Sequence, residues 1–230
     1  MNIKTTAKQG RDMLQRGIYV VINPFVRMLI KIGFTPNMVT TIGLLGNIAA
    51  AVVIVMSALD ATANNGVPDY GLLTWGGALI IGFSLFDMLD GQVARLGGMA
   101  STFGALYDSV LDRYCEMVTL GGIAYYFLQV DMFWSAVLTF VAMVGSVMVS
   151  YVRARAEGLD IECKIGFMQR PERVVVTAVA TLATGICGQC AVSFDPNIIL
   201  IVAMGIIAVF ANMTAFARIA HCRRALQNKK

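Results

Sequence analysis

Four aspartates stand where an apolar chain has least reason to keep them. Asp87 and Asp90 are three residues apart, and Asp108 and Asp112 are four apart, so each pair falls on one face of a helix. Gly91 and Ala94 continue the first of those faces. Both pairs lie in long apolar runs, and an ionised Asp near the middle of a membrane span costs on the order of 2.5–3.5 kcal/mol on insertion scales. The stretch Gly97-Gly98-Met99-Ala100 between the pairs reads as a turn. The two helices are therefore expected as antiparallel neighbours, with the pairs at similar depth. Four carboxylates brought together raise one another's pKa, which leaves two outcomes, protonation or bound cations. All-oxygen ligation suits a hard divalent ion, Mg²⁺ or Mn²⁺, that keeps positions open for phosphate oxygens. Two other readings exist. Arg95 and Arg113 could neutralise the acids in a solvated loop, or the acids could serve an ion-coupled secondary transporter. A transporter spreads its acids through the bilayer and breaks its helices in symmetric halves. Here the acids crowd towards one face and no internal repeat is visible, which favours chemistry at the membrane surface.

The elements that must position these residues follow from composition. The chain has 230 residues, 57% hydrophobic and only 14% charged, against about 25% charged in an average soluble domain. Mean hydropathy is +0.71. This excludes a disordered chain, a nucleic-acid module and a disulfide-stapled secreted domain, and points to an integral membrane protein. Windows of roughly 20 residues suffice to cross the hydrocarbon, and six are found, at about 39–59, 72–96, 102–128, 132–153, 174–191 and 198–216. No signal peptide is expected ahead of them. Residues 18–32 are apolar but interrupted by Asn23, Pro24, Arg27 and Lys31, as in an amphipathic helix lying in the interface. The fold class expected is all-α: a bundle of six transmembrane helices (37–220) after an interfacial N-terminal segment (1–36), with a basic tail (221–230).

Charge then sets the topology. The 18 Lys and Arg fall as six before the first span, two at the second-to-third connection, five between the fourth and fifth, and five from Arg218 onward. Six spans put all of them on one side, while the opposite loops hold only acids such as Asp69, Asp131 and Asp195. The positive-inside rule places that side, with both termini and the aspartates, in the cytosol.

As a string, the segment is Asp87-x-x-Asp90-Gly91-x-x-Ala94-Arg95, eight residues, Gly104, three residues, Asp108, three residues, Asp112. It resembles the signature of the CDP-alcohol phosphotransferase family at every defined position, and eight fixed identities over 26 residues make it specific. The resemblance implies transfer of a substituted phosphate from a CDP-linked donor, typically CDP-diacylglycerol, to an alcohol with release of CMP. By the same resemblance Asp87, Asp90 and Asp108 would hold one divalent cation. Asp87, Asp108 and Asp112 would hold a second, and Asp112 would also take the acceptor's proton. Gly91, Ala94 and Gly104 would leave room for the nucleotide between helices, and Arg95 would meet its phosphates. Homodimers are usual in the family.

Within the family the chain is most similar to bacterial phosphatidylinositol-phosphate synthases. The segment Thr35-Pro36-Asn37-Met38-Val39-Thr40 opens the first span as in those enzymes, which implies nucleotide contacts for Asn37 and Thr40. Ser101 stands where they carry a hydroxyl near the donor. The segments around Ser150-Tyr151-Val152-Arg153 and Arg170-Pro171-Glu172-Arg173 flank their acceptor pocket. Ser150, Arg153, Arg173 and Arg218 would then grip the phosphate of inositol phosphate, arginines being suited to a dianion. Glycerol 3-phosphate is the alternative acceptor.

The remaining conspicuous residues have plainer readings. Cys187 and Cys190 form a C-x-x-C without a partner motif, and helix-packing thiols are the default. His221, the only histidine, lies in a basic stretch. Glu116, one turn beyond Asp112, is expected to pair with Arg113 or to support the site from behind.

Overall fold

The computed structural model describes residues 23–63, 66–190 and 192–227, apart from the side chains of Asp60, Thr62, Ala63, Asp87 and Met88. Lys4, Lys8, Arg11, Arg16, Lys229, Lys230 and residues 18–22 of the expected interfacial helix lie outside the described residues. Those described are helical or irregular, with no strand among them. In chain order the helices are α1 (23–31), α2 (Pro36–Ala63), α3 (Tyr70–Leu96), α4 (Thr102–Gln129), α5 (Phe133–Glu157), α6 (Arg170–Gln189) and α7 (Asn197–Gln227).

Side-chain caps explain several of the starts. Thr35 Oγ1 accepts the Met38 N–H at 3.4 Å, with Pro36 at the first helical position of α2, where its missing donor does no harm. Asp69 accepts the N–H groups of Gly71 and Leu72 at 2.7 and 3.0 Å to open α3. Ser101 accepts the Gly104 N–H at 2.9 Å to open α4. The α3–α4 turn depends on Gly98, whose φ of +64° is unfavourable for residues with a Cβ.

Chain contacts divide the molecule into two compact units, residues 1–43 with 85–111 and residues 44–84 with 112–230. Their limits fall inside α2, α3 and α4, whereas the sequence suggested divisions at 36/37 and 220/221. The first unit packs Val26 and Leu29 of α1 against Val39 of α2 and against Leu89 and Val93 of α3. Arg27 and Lys31 stay exposed, as do Phe25 and Met28 of the same helix.

The second unit holds the larger core, from Ala50 and Ile54 of α2 through Leu120, Ile123, Tyr126 and Phe127 of α4 to Leu200, Met204 and Ile207 of α7. Small residues set its helix spacing. A Cβ on Gly77 of α3 would lie 2.5 Å from the backbone N of Leu182 in α6, and one on Gly185 would lie 2.5 Å from the backbone N of Thr74. Such close approach is a common mode of packing between membrane helices. Further along, α5 and α7 run parallel: Asn212 Nδ2 donates to the Val141 carbonyl at 3.3 Å and Arg218 Nη1 to the Val149 carbonyl at 2.6 Å.

Helices α2, α3, α5 and α7 are long and apolar enough to cross a membrane, which marks an integral membrane protein. The sequence windows had also assigned spans to α4 and α6. α4 carries Asp108, Asp112, Arg113 and Glu116, and α6 is a 20-residue helix with Arg170, Glu172 and Arg173 in its first turn, so charge dilutes their apolar character. α7 runs on to Gln227, so residues 221–227 of the expected tail are helical.

Candidate active site

In the first unit, the start of α2, the end of α3 and the start of α4 enclose a cavity of about 220 Å³. Asn37, Thr40, Gly91, Ala94, Arg95, Ser101 and Gly104 all line it, together with Asp90 and Asp108. The seven residues singled out for a CDP-lipid thus share one cavity wall. Asp90 is 5% exposed. Its Oδ2 accepts the Thr40 hydroxyl at 2.7 Å and its Oδ1 accepts the Gly91 N–H, as a buried carboxylate requires. Gly104 has a steric reason for its identity: a Cβ there would sit 3.0 Å from Ser101 Oγ and 3.5 Å from Asn37 Oδ1, narrowing the cavity mouth. Gly91 gives similar room to Arg95, whose Nη2 lies 3.4 Å from where a Cβ would be. Tyr107, unremarked in the sequence, has its hydroxyl 3.0 Å from Thr41 Oγ1. Ser101 has two assignments, since its hydroxyl both faces the cavity and caps α4.

In the second unit, Asp112 Oδ2 pairs with Arg170 Nη1 at 2.7 Å, the two side chains being 13% and 25% exposed. One turn on, Glu116 pairs with Arg173 rather than with Arg113. Arg173 Nε donates to Glu116 Oε1 at 2.6 Å and Nη2 to Oε2 at 2.9 Å, while Nη1 donates to the Met168 carbonyl at 3.0 Å. Arg173 is 1% exposed, and its guanidinium is engaged by these protein partners. Arg218 is also buried, with Nε on the Ile165 carbonyl at 2.9 Å and Nη1 on the Val149 carbonyl. Arg173 Nη2 also donates to the Ser146 carbonyl at 3.5 Å, so both buried guanidiniums end on α5, the helix that carries Arg153. Arg153 is the accessible one, joined to Glu157 at 2.9 Å, and Ser150 is half-buried on the same helix. Sequence reading gave Arg170 no role of its own. The signal available was its three-residue offset from Arg173, which matches the four-residue offset of Asp112 and Glu116 across the facing helix.

Beside Arg218, the connection between α5 and α6 carries Cys163, whose Sγ lies 3.9 Å from that of Cys222. Burial, and secondarily the contact with Cys222, push the Cys163 thiol up from its ordinary range. All five cysteines, Cys187 and Cys190 included, are free thiols.

Among the described residues no three acidic, histidine or cysteine side chains converge as a metal cage. The cage expected from the sequence includes Asp87, whose side chain lies outside them. What is present fits a hard cation. The donors offered by Asp90 and Asp108 are all oxygen, they border a cavity, and Asp90 is already oriented by two hydrogen bonds.

A family model described as CDP-alcohol phosphatidyltransferase matches residues 34–220. Among curated relatives, the phosphatidylinositol phosphate synthase of Mycobacteroides abscessus is 31% identical over 169 residues, covering 72% of this chain and 70% of that protein. The enzyme of the same name from Cutibacterium acnes is 31% identical over 210 residues, covering 90% and 95%. Among solved structures, Mycobacterium tuberculosis phosphatidylinositol phosphate synthase with CDP-DAG bound superposes with a TM-score of 0.73 at 28% identity, covering 86% of this chain and 92% of that one. The same enzyme in complex with manganese and citrate gives 0.71 at 28%, covering 86% and 87%.

Proposed function

The chain belongs to the CDP-alcohol phosphatidyltransferase family, and from that premise we propose that it transfers the phosphatidyl group of CDP-diacylglycerol to inositol phosphate, releasing CMP. The observation that carries this reading is the cavity on which all seven donor residues meet beside Asp90 and Asp108. The relatives' common name and the CDP-DAG held by the M. tuberculosis enzyme support it.

In this reading Asn37 and Thr40 hold the nucleotide. Gly91, Ala94 and Gly104 give it close access to helix backbone, and Ser101 and Arg95 meet its polar groups. Asp87, Asp90, Asp108 and Asp112 would hold two divalent cations, Mg²⁺ or Mn²⁺, and manganese in the M. tuberculosis structure supports a metal of this class. When bound, such ions neutralise the diphosphate and the departing CMP. Asp112 takes the proton of the acceptor hydroxyl as its oxygen attacks the phosphorus of the phosphatidyl group, and the bond from that phosphorus to the oxygen of CMP breaks. Ser150 and Arg153 meet the acceptor phosphate. Arg173 and Arg218 add positive charge to the same pocket, each guanidinium being engaged in part by protein groups.

For the membrane, the reading is six spans formed by α2 to α7, α1 in the interface, and both termini and the site on the cytosolic side. Segregation of all 18 Lys and Arg to that side supports it. The chain is then one catalytic domain, 37–220, with a flanking interfacial segment (1–36) and a basic end (221–230), and a homodimer by family resemblance. The test is CMP release from CDP-diacylglycerol by purified protein offered inositol phosphate, glycerol 3-phosphate and unphosphorylated inositol in competition. Preference for inositol phosphate is expected. Preference for glycerol 3-phosphate would reassign the acceptor, and no CMP with any of them would overturn the reading.

A further inference from the structure

Asp112 and Glu116 lie four apart on α4, and Arg170 and Arg173 lie three apart on α6. Each spacing puts its two residues on one helical face, and the faces meet as a ladder with two unlike rungs. The outer rung, Asp112 with Arg170, is partly open to solutes. The inner rung, Glu116 with Arg173, is closed: the two side chains are 6% and 1% exposed and joined by a double hydrogen bond. Earlier residues pair with earlier and later with later, so α4 and α6 run in the same direction here.

A buried ion pair is weak grounds for stability, because desolvation offsets the attraction and an apolar pair can do as well. What a planar guanidinium gripping both oxygens of a carboxylate supplies is a single allowed geometry. That geometry is imposed where α6 most needs it. Arg170 is the first residue of the helix, and Gln169 before it makes no side-chain cap. A helix's first turn lacks its own partners for the leading N–H groups. Arg173 holds the segment on both sides of Arg170, through its own place in the helix and through its bond to the Met168 carbonyl.

We propose that Glu116 is a positioning residue: by fixing Arg173 it sets the first turn of α6 so that Arg170 meets Asp112, and it thereby orients the carboxylate that receives the acceptor's proton. This rests on the assignment of Asp112 as that base in phosphatidyl transfer.

The experiment uses the full chain purified in detergent and has two readouts. In the kinetic one, Glu116→Gln, which keeps shape but cannot accept the double bond, is expected to lower kcat/KM for inositol phosphate about 10- to 100-fold. The KM for CDP-diacylglycerol should stay within about twofold. Glu116→Asp should recover part of the loss, and Arg173→Lys, which lacks the fork, should reproduce it. The second readout needs no turnover. Thermal unfolding of Glu116→Gln, Asp112→Asn and the double variant is expected to be non-additive, the Asp112→Asn shift shrinking once the inner rung is gone. Additive shifts overturn the proposal, as does an unchanged kcat/KM in Glu116→Gln beside an active wild type. A wild type that makes no CMP overturns the functional reading instead, and the unfolding cycle still decides the ladder. Should Glu116→Gln not fold, Arg173→Lys takes its place in both measurements.

Discussion

Thr40→Val probes the hydroxyl that joins α2 to Asp90 in the donor cavity. The two side chains have nearly the same shape, and residue 40 is 4% exposed, so the substitution removes the hydroxyl with little change in packing. It deletes the 2.7 Å hydrogen bond to Asp90 Oδ2 together with the hydroxyl's 3.0 Å contact to the Pro36 carbonyl in its own helix, and it leaves the Gly91 N–H as a donor to that carboxylate. A hydrogen bond to a charged group contributes about 1.5–3 kcal/mol. If Asp90 orientation matters for reaction, the loss converts to a fall in kcat/KM of about 10- to 150-fold at 1.4 kcal/mol per decade. The assay is CMP release at varied CDP-diacylglycerol, with the divalent cation titrated in parallel. Because Asp90 is an expected cation ligand, the concentration of Mg²⁺ or Mn²⁺ for half-maximal activity should rise as well. Thr40→Ser retains the hydroxyl and should lie within a few-fold of wild type. Equal activity and equal cation dependence in Thr40→Val and wild type would refute the idea that this hydroxyl holds Asp90 for function.

Asp112→Asn should lower turnover by about 10²–10⁴, the usual contribution of a positioned general base, while CDP-diacylglycerol still binds; loss of binding instead would remove Asp112 from that role. Chelation should abolish CMP release, and added Mg²⁺ or Mn²⁺ should restore it, whereas chelator-resistant activity would contradict the cation assignment. Gly185→Val forces a Cβ to within 2.5 Å of Thr74 backbone. It should depress the unfolding temperature strongly, by overpacking of about 1–3 kcal/mol or more, and an unchanged melt would dispute the α3–α6 contact. Cys190 is exposed, whereas Cys163 is buried and its thiol is pushed up, so iodoacetamide at neutral pH should label Cys190 first. Faster labelling of Cys163, read by mass spectrometry of its peptide, would contradict that environment.

Much of the site was legible because its signals are local. A helix repeats every 3.6 residues, so spacing alone put Asp87 with Asp90 and Asp108 with Asp112, and the fixed string around them carried the family. The α3–α4 turn was local too, since Gly97-Gly98-Met99-Ala100 reads as a turn and Gly98 takes a φ of +64° there. Apolar run length gave the helices but overstated how alike they are. It treated α4 and α6 as ordinary spans, although both devote part of a face to charge that must be met inside the protein.

The amino-acid order by itself determined an all-helical membrane chain, the turn between α3 and α4, and the string of aspartates that carries the family. Only the tertiary structure decided what each arginine does. Arg173 meets Glu116 from 57 residues away, Arg170 reaches Asp112, and Arg218 turns onto the carbonyls of Val149 and Ile165. A charge's partner is chosen by which helices pack together and in what register. For Arg218 that register goes with the close approach of α5 and α7, where a Cβ on Gly145 would lie 3.1 Å from the backbone N of Asn212, and the spacing of charged residues along the chain does not specify it.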